Sequence, residues 1–378
     1  MDSDVLIIGG GVIGLSIARE LRLRGVRQIT VVDRGYIGGE ASWAAAGMLA
    51  PNAECDRLDD FHRFCTESLG LYPDFAASLL EETGVDIELD RAGTLYAAFT
   101  NEDVAEIRER FRWQSNAGLN VRHLSAIATR EAEPSISNDV RESLFFPDDW
   151  QVENRKVIEA LRTYCLQNGI QIIEQTEVRE IFAENGKIVG AATTNGKLFA
   201  DQIVLAGGAW TSQLKVGGNP PAFTVMPIRG QMLCYRTGDR PFRRVIYSPR
   251  GYLVPRADGR ILAGSTVEDV GYDKGVSEIG IRAIESAASE IAPGLGAVQP
   301  AEKWAGLRPF VPPDGLPVIG GLPGCENLLI ATGHFRNGIL LTPLTARIAA
   351  EKILNERDSE YLRLYSPARF STAASSGA

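Results

Sequence analysis

Three groups of residues in this chain have the types and spacing to do chemistry. Gly9, Gly11 and Gly14 form a G-x-G-x-x-G turn after the apolar run DVLIIG, and Asp33 lies nineteen residues beyond Gly14. The first glycine permits a tight strand-to-helix turn, the second lets backbone amides approach a pyrophosphate, and the third allows close packing of helix on strand. A carboxylate at that distance, closing the second strand, can accept both hydroxyls of an adenosine ribose. The second group is Arg308, in GLRPFVPPDGLPVIG (306–320), a permanent cation with a planar fork of donors among glycines, prolines and apolar residues. Its counterpart is either a carboxylate of the protein or the anion of a ligand; Pro309, Pro312 and Pro313 restrain where it points. The third is GHFRNG (333–338), a turn carrying His334 and Arg336 ahead of a long helical pattern, whose amino end presents the positive end of its dipole.

Other reactive types are few. Three histidines (His62, His123, His334) show no H-E-x-x-H spacing, so neither a transition-metal site nor a Ser-His triad is expected. Five cysteines (Cys55, Cys65, Cys165, Cys234, Cys325) are widely spaced without C-x-x-C, which points away from a disulfide framework and toward a reducing, cytoplasmic setting. A net charge of −9 argues against a general nucleic-acid or anionic-membrane surface. The first apolar run is preceded by MDSD and holds several glycines, so it reads as a strand and turn, not as a secretion signal or a membrane span.

The elements that must position these groups follow from periodicity. Residues 3–35 read as strand, glycine turn, amphipathic helix and second strand, a βαβ unit. Helices are predicted near 61–83, 101–116 (with a Thr100–Asp103 capping box), 153–168 and 277–291. Asn185-Gly186 and Asn195-Gly196 predict a three-stranded meander, after which the strand QIVLAGG ends in another glycine turn. Alternating strands fill 223–267. If Asp258-Gly259 makes a two-residue hairpin, Ala257 pairs with Arg260, Tyr252 faces Ser265, and Val267 is the diagonal neighbour of Tyr252 with Arg250 across from it. A strand, glycine turn and long helix at 326–354 return to the nucleotide-binding type. The nucleotide-binding pieces are thus split along the 378 residues by an inserted, mostly antiparallel part, and the small polar tail 366–378 is expected to be disordered.

Several stretches together resemble the D-amino-acid oxidase family of FAD-dependent enzymes: DVLIIGGGVIGLSIARELRLRG, ASWAAAGMLAP, FAENGKIVGAATTNG with IVLAGGAWTSQL, GYLVPR, WAGLRPFVPPDGLPVIG and ATGHFRNGILLTPLTA. The resemblance covers nearly the whole chain and is nearest the members that serve thiamin biosynthesis. It implies an α/β chain with a discontinuous glutathione-reductase-type FAD-binding Rossmann domain (1–84, 145–222 and 300–365) and an α+β substrate domain built on an antiparallel sheet (85–144 and 223–299).

Carried over residue by residue, the resemblance makes Arg308 the partner of a substrate carboxylate, Tyr252 a second contact to it, and Arg336 a neighbour of the flavin and the substrate entrance, with Met48 facing the pocket. The hairpin register adds Val267 and Arg250 as its far wall. Non-covalent FAD is implied at the glycine turn (Gly9, Gly11, Val12, Ile13, Gly14), at its ribose end (Asp33, Arg34) and along Ser42, Ala45, Ala46, Gly47 and Met48. Val178, Ala206, Gly207 and Trp210 are implied on its far side. Around the ring come Arg308 and the run His334, Arg336, Asn337, Gly338, Ile339 and Leu340. The family's usual residue at the ribose is Glu, where this chain has the shorter Asp33; some relatives attach flavin through a cysteine, which the corresponding segment around Arg308 lacks. On residue type alone, Arg308 also fits an ordinary salt bridge, Tyr252 a packed strand residue with a wet hydroxyl, Arg336 a solvated surface group, Met48 plain core and His334 a structural position.

The implied reaction is oxidation of glycine, sarcosine or a small D-amino acid by hydride transfer from the α-carbon to flavin N5, with O2 as the final acceptor and H2O2, ammonia or an amine, and an α-keto acid as products. No side chain need act as acid or base, because the flavin carries the difficult step. A homotetramer and a part in making the thiamin thiazole are implied with it. The rivals are a D-amino-acid dehydrogenase using a quinone, a sarcosine or D-proline oxidase of the same fold, and a flavin-binding protein without turnover.

Overall fold

The computed structural model describes residues 2–184 and 187–370, so Asn185-Gly186 and residues 371–378 of the tail lie outside the described residues. Strand Asp2–Ile8 runs straight into the glycine turn and helix Val12–Leu23. Its side chains are buried on both faces: Val5 and Ile7 enter one core cluster, Leu6 and Ile8 another. That is the signature of a central parallel strand. Parallel neighbours lie on either side, Ile29–Val32 and then Gln171–Ile173 on one, Gly196–Leu205 and then Cys325–Thr332 on the other. Gly196–Leu205 is long enough to pair twice along one edge. Its first half is antiparallel to Lys187–Thr193, and its second half is parallel to Cys325–Thr332. Helices Val12–Leu23, Asn154–Gln167 and Thr342–Ile353 cover one face.

The second large sheet runs Glu268–Asp269, Met226–Arg236, Arg260–Gly264, Gly251–Pro255, Val245–Ser248, Thr94–Ala98, Glu142–Phe146, Arg122–Ser125. All its pairs are antiparallel except Val245–Ser248 beside Thr94–Ala98. Strand Glu302–Phe310 lines the other edge of Met226–Arg236 from Cys234↔Glu302 to Met226↔Phe310. It therefore carries Arg308 on the substrate sheet, and the chain then passes directly into Val318–Leu322 of the parallel sheet.

Three expectations need correction. The Asp258-Gly259 hairpin has three loop residues: Arg256 N donates to Arg260 O at 2.8 Å, Gly259 sits at φ 81°, and Tyr252 faces Gly264. A left-handed glycine in a three-residue loop absorbs the extra residue, and a shift of one position moves every partner to the other face. The tail is folded up to its first five residues. Pro367–Phe370 forms a 3-10 turn, Ile319 N donates to Tyr365 O at 2.8 Å, and the Phe370 ring lies 5.7 Å from that of Phe223. The helical pattern at 61–83 is two helices, Asp60–Gly70 and Tyr72–Thr83, with Pro73 at the start of the second.

Candidate active site

A cleft opens to solvent between the two sheets, with about 1190 Å³ of atom-free space when the solvent at its mouth is included. At one end is the amino terminus of helix Val12–Leu23, with Gly11, Val12 and Ile13 on the wall. Gly9 has φ 108°, and a Cβ there would overlap Ala206 O; a Cβ on Gly14 would overlap Gly9 O. Gly11 is extended and gives the helix no side-chain cap. Val12 N donates to Ser42 Oγ (3.1 Å), whereas the amides of Gly11, Ile13 and Gly14 have no acceptor among the described residues. Unpaired helix-terminal donors beside a cavity suit a phosphate group. Asp33 already serves this turn, accepting Gly10 N at 2.7 Å and Gly35 N at 2.8 Å. Burial raises its pKa above the ordinary carboxylate value, against the pull of those two amides.

Two further segments wall the cleft, one of them apolar. Ala44, Ala45, Ala46, Gly47 and Met48 form one side, and the turn Gly333 to Ile339 the other. Gly333 (φ 76°) is required because a Cβ would overlap Val311. The long helix begins only at Thr342, after a 3-10 turn at Phe335–Asn337. This leaves the amides of Gly338, Ile339 and Leu340 without acceptors among the described residues. His334 is buried with Nε2 3.2 Å from Thr345 Oγ1, and burial pushes its pKa down to about 3, so the ring is neutral.

The far end carries the charge. Arg308 Nη2 donates to Ser265 Oγ (2.7 Å) and Nη1 to Thr266 O (3.1 Å), yet it pairs with no described carboxylate. Burial lowers its pKa, the neighbouring Tyr252 opposes this, and the like charge of Arg336 adds to it. The Tyr252 hydroxyl is 3.2 Å from Met232 Sδ, and its ring is parallel to that of Tyr247 at 6.4 Å. Arg336 donates to Glu54 Oε1 at 2.8 Å and to the Tyr247 hydroxyl at 3.4 Å; the Glu54 charge raises its pKa, outweighing burial. Two guanidiniums thus stand at one cavity wall with a single carboxylate, which is bonded to Arg336 alone. An uncompensated buried cation is costly unless an anion joins it, so the arrangement is built for a ligand's negative group.

Of the residues singled out from the sequence, Gly11, Val12, Ile13, Ser42, Ala45, Ala46, Gly47, Met48, Ala206 and Tyr252 line the cleft, as do Arg308, His334, Arg336, Asn337, Gly338 and Ile339. Others stand behind the wall. Gly9, Gly14 and Asp33 shape the turn, Gly207 adjoins Ala206, and Val178 and Leu340 are core. Arg34 stacks over Trp210 at 4.7 Å, away from the cleft. Val267 and Arg250 do not form a far wall. Val267 lies beyond strand Arg260–Gly264 and is 63% exposed, and Arg250 is held by Asp103 (2.7 Å) and Glu290 (3.0 Å), both because the register differs by one. Glu54, Met232, Tyr247, Gly230 and Ser265 were not foreseen. Glu54 meets Arg336 across 282 positions, a contact with no periodic signal. Gly230, directly opposite Gly306 on the paired strand, is the seat of Arg308, and no spacing in the sequence marks it as one.

Residues 4–352 match the family described as DAO, FAD dependent oxidoreductase. The chain is 34% identical to the glycine oxidase of Pseudomonas aeruginosa over 93% of this chain and 94% of that protein. It is 37% identical to the bifunctional protein ThiO/ThiG of Synechocystis over 98% of this chain, but spans only 54% of that relative's length. Among solved structures, glycine oxidase from Geobacillus kaustophilus superposes with a TM-score of 0.91 at 30% identity, covering 97% of this chain and 99% of that one.

Proposed function

The chain belongs to the DAO family of FAD-dependent oxidoreductases and is an FAD enzyme, and from that premise we propose that it oxidises glycine and other small amino acids, sarcosine, D-alanine and D-proline among them. The observation that carries this reading is Arg308, a cation without a carboxylate partner, set between Ser265 and Tyr252 at the apolar cleft. In the proposed reaction glycine, O2 and water give glyoxylate, ammonia and H2O2. FAD, when bound, supplies the two-electron acceptor chemistry.

The residues present fit that cofactor. Gly11 and Ile13 offer unpaired amides at the cleft for a diphosphate, and Gly338 and Ile339 offer a second set beside Arg336. Arg308 would hold the substrate carboxylate through two charge-assisted bonds, which fixes the α-carbon in one orientation. The Tyr252 hydroxyl gives its one proton to a weak acceptor, the Met232 thioether, and would turn it to the same carboxylate when substrate binds. Glu54 balances Arg336 and leaves one net positive charge for one carboxylate. Among the described residues that line the cleft, the one carboxylate, Glu54, is held by Arg336, and His334 is neutral, buried and bonded to Thr345, so neither is free to take a proton from the substrate. The amine must therefore lose its proton on entering an apolar site, where a charged ammonium is disfavoured. A homotetramer and a supply role in thiamin thiazole synthesis belong to the same proposal.

A peroxide assay over glycine, sarcosine, N-ethylglycine, D-alanine, D-proline and L-alanine tests it. Bleaching of the bound flavin by glycine without O2, followed by stoichiometric peroxide on aeration, is the expected result. Bleaching without peroxide would make it a dehydrogenase, and no bleaching by any of the six would remove the oxidase reading.

A further inference from the structure

Segment Ser42–Met48 runs along the cleft with Ala45, Ala46, Gly47 and Met48 on its wall. Its carbonyls are held from behind, almost one by one. Asn154 Nδ2 donates to Ser42 O (2.8 Å) and Trp43 O (3.1 Å), Trp304 Nε1 to Ala44 O (3.0 Å), Arg256 Nη2 to Ala46 O (2.8 Å) and Val152 N to Gly47 O (2.9 Å). In a trans peptide the C=O and N–H point in opposite directions. Pinning Ala44 O and Ala46 O therefore turns the amides of Ala45 and Gly47 the other way, and neither finds an acceptor among the described residues.

Arg256 is the charged member of this set. Its side chain is 2% exposed; Nη1 donates to Gln151 Oε1 (3.0 Å) and Val152 O (2.8 Å), and Nη2 also reaches Asn154 Oδ1 (3.2 Å). Its Nε stands 3.3 Å from Glu153 Oε2, which Arg260 holds more closely at 2.7 Å, so one buried carboxylate serves two guanidiniums. Gly47 has φ 72°, and a Cβ there would overlap Val152 O and come within 3.0 Å of Arg256 Nη2. Only glycine lets the arginine this close.

We propose that Arg256, with Trp304, is a positioning residue that aims the Ala45 and Gly47 amides at the bound cofactor and, through the Ala46 carbonyl, strengthens the Gly47 N–H as a donor to the ring when it gains electrons. A cation on the oxygen of a peptide polarises that peptide, and hydrogen-bond chains of this kind reinforce each other in a low dielectric. The donor then stabilises the electron-rich ring more than the oxidised one. The inference rests on the cleft being the flavin site.

The test compares flavin-loaded Arg256→Lys, Arg256→Met and Trp304→Phe with the parent protein by two-electron reduction potential and by sulfite titration. Sulfite adds to N5 of the oxidised ring and leaves negative charge on it, so its Kd reads donor strength without turnover. Each variant is expected to bind sulfite about tenfold more weakly, with a potential lower by about 30 mV for each tenfold loss, and Arg256→Lys should recover part of what Arg256→Met loses. Variants that melt earlier yet keep the parent's potential and sulfite Kd would reduce Arg256 and Trp304 to packing and overturn the proposal. If the Arg256 variants yield no flavoprotein, Trp304→Phe, which keeps an aromatic ring and removes one donor, decides the matter alone. A parent protein that takes up no FAD would instead overturn the underlying site assignment.

Discussion

The guanidinium of Arg308 lies against the bare α-carbon of Gly230, where a Cβ would overlap both terminal nitrogens and Cζ. Gly230 stands opposite Gly306, two positions along from the Ile228–Arg308 pair, so the arginine folds back across its partner strand into a space that only a missing side chain leaves.

Gly230→Ala should push Arg308 out of line without touching the glycine turns. A displacement on the order of an ångström at a substrate-orienting group can cost about a hundredfold in rate. Peroxide production from glycine should fall to that extent while the flavin absorbance per mole of protein stays at the parent value.

Arg308→Ala should weaken substrate binding by about 3–5 kcal/mol, a hundredfold to several thousandfold. Arg308→Lys should also be poor, since a point charge replaces neither the bond to Ser265 nor the fork. Tyr252→Phe should cost less, about 1.5–3 kcal/mol, one hydrogen bond to a charged group. Anaerobic glycine titration of the flavin spectrum gives all three, and parent affinity in Arg308→Lys would remove Arg308 from the site.

Glu54→Gln leaves Arg336 without its carboxylate beside an already unpaired Arg308. The pocket becomes more positive, so acetate, a carboxylate without an amine, should compete against glycine severalfold more tightly than in the parent, and the gain should shrink at high salt. Acetate inhibition constants at two ionic strengths measure this; unchanged values would mean that Glu54 does not face the bound ligand.

His334 gives a pH signature. The unfolded ring takes up a proton near pH 6.5, but the buried one refuses it until about pH 3. The unfolded state therefore binds more protons across that interval, so the His334 contribution is complete above the unfolded value and is lost as pH falls through the window. His334→Gln should flatten the dependence of unfolding free energy on pH there by up to about 1.4 kcal/mol per pH unit. Urea unfolding from pH 7 to pH 4 checks it.

What the sequence made legible was local or short-range periodic. The G-x-G-x-x-G turn, the capping box at Thr100 and the helix Asn101–Asn116 depend on residues a few positions apart, and they stand in the structure as spacing predicted. The hairpin at Asp258-Gly259 shows where spacing fails. A two-residue and a three-residue loop fit the same letters, and only the pairing of Arg256 with Arg260 distinguishes them. That single step misplaced Val267 and Arg250. Glu54 and Met232 reach the cleft, and Tyr247 reaches Arg336 and Tyr252 on its wall, from separate elements with no shared motif, so their meeting follows from tertiary packing alone.

Strand order also bears on when this protein becomes an enzyme during its synthesis. The glycine turn is among the first segments made, yet strand Asp2–Ile8 lacks one neighbour until Gly196–Leu205 exists, and that strand lacks its own until Cys325–Thr332. Arg308 is made after about two-thirds of the cleft's other lining residues, and Gly338 and Ile339 after all of them. Contacts of such long sequence separation close slowly and leave apolar strand edges exposed meanwhile. A chain halted on the ribosome short of residue 306 lacks Arg308 and the whole turn from Gly333 to Ile339, so the cleft gains its last wall only late in synthesis.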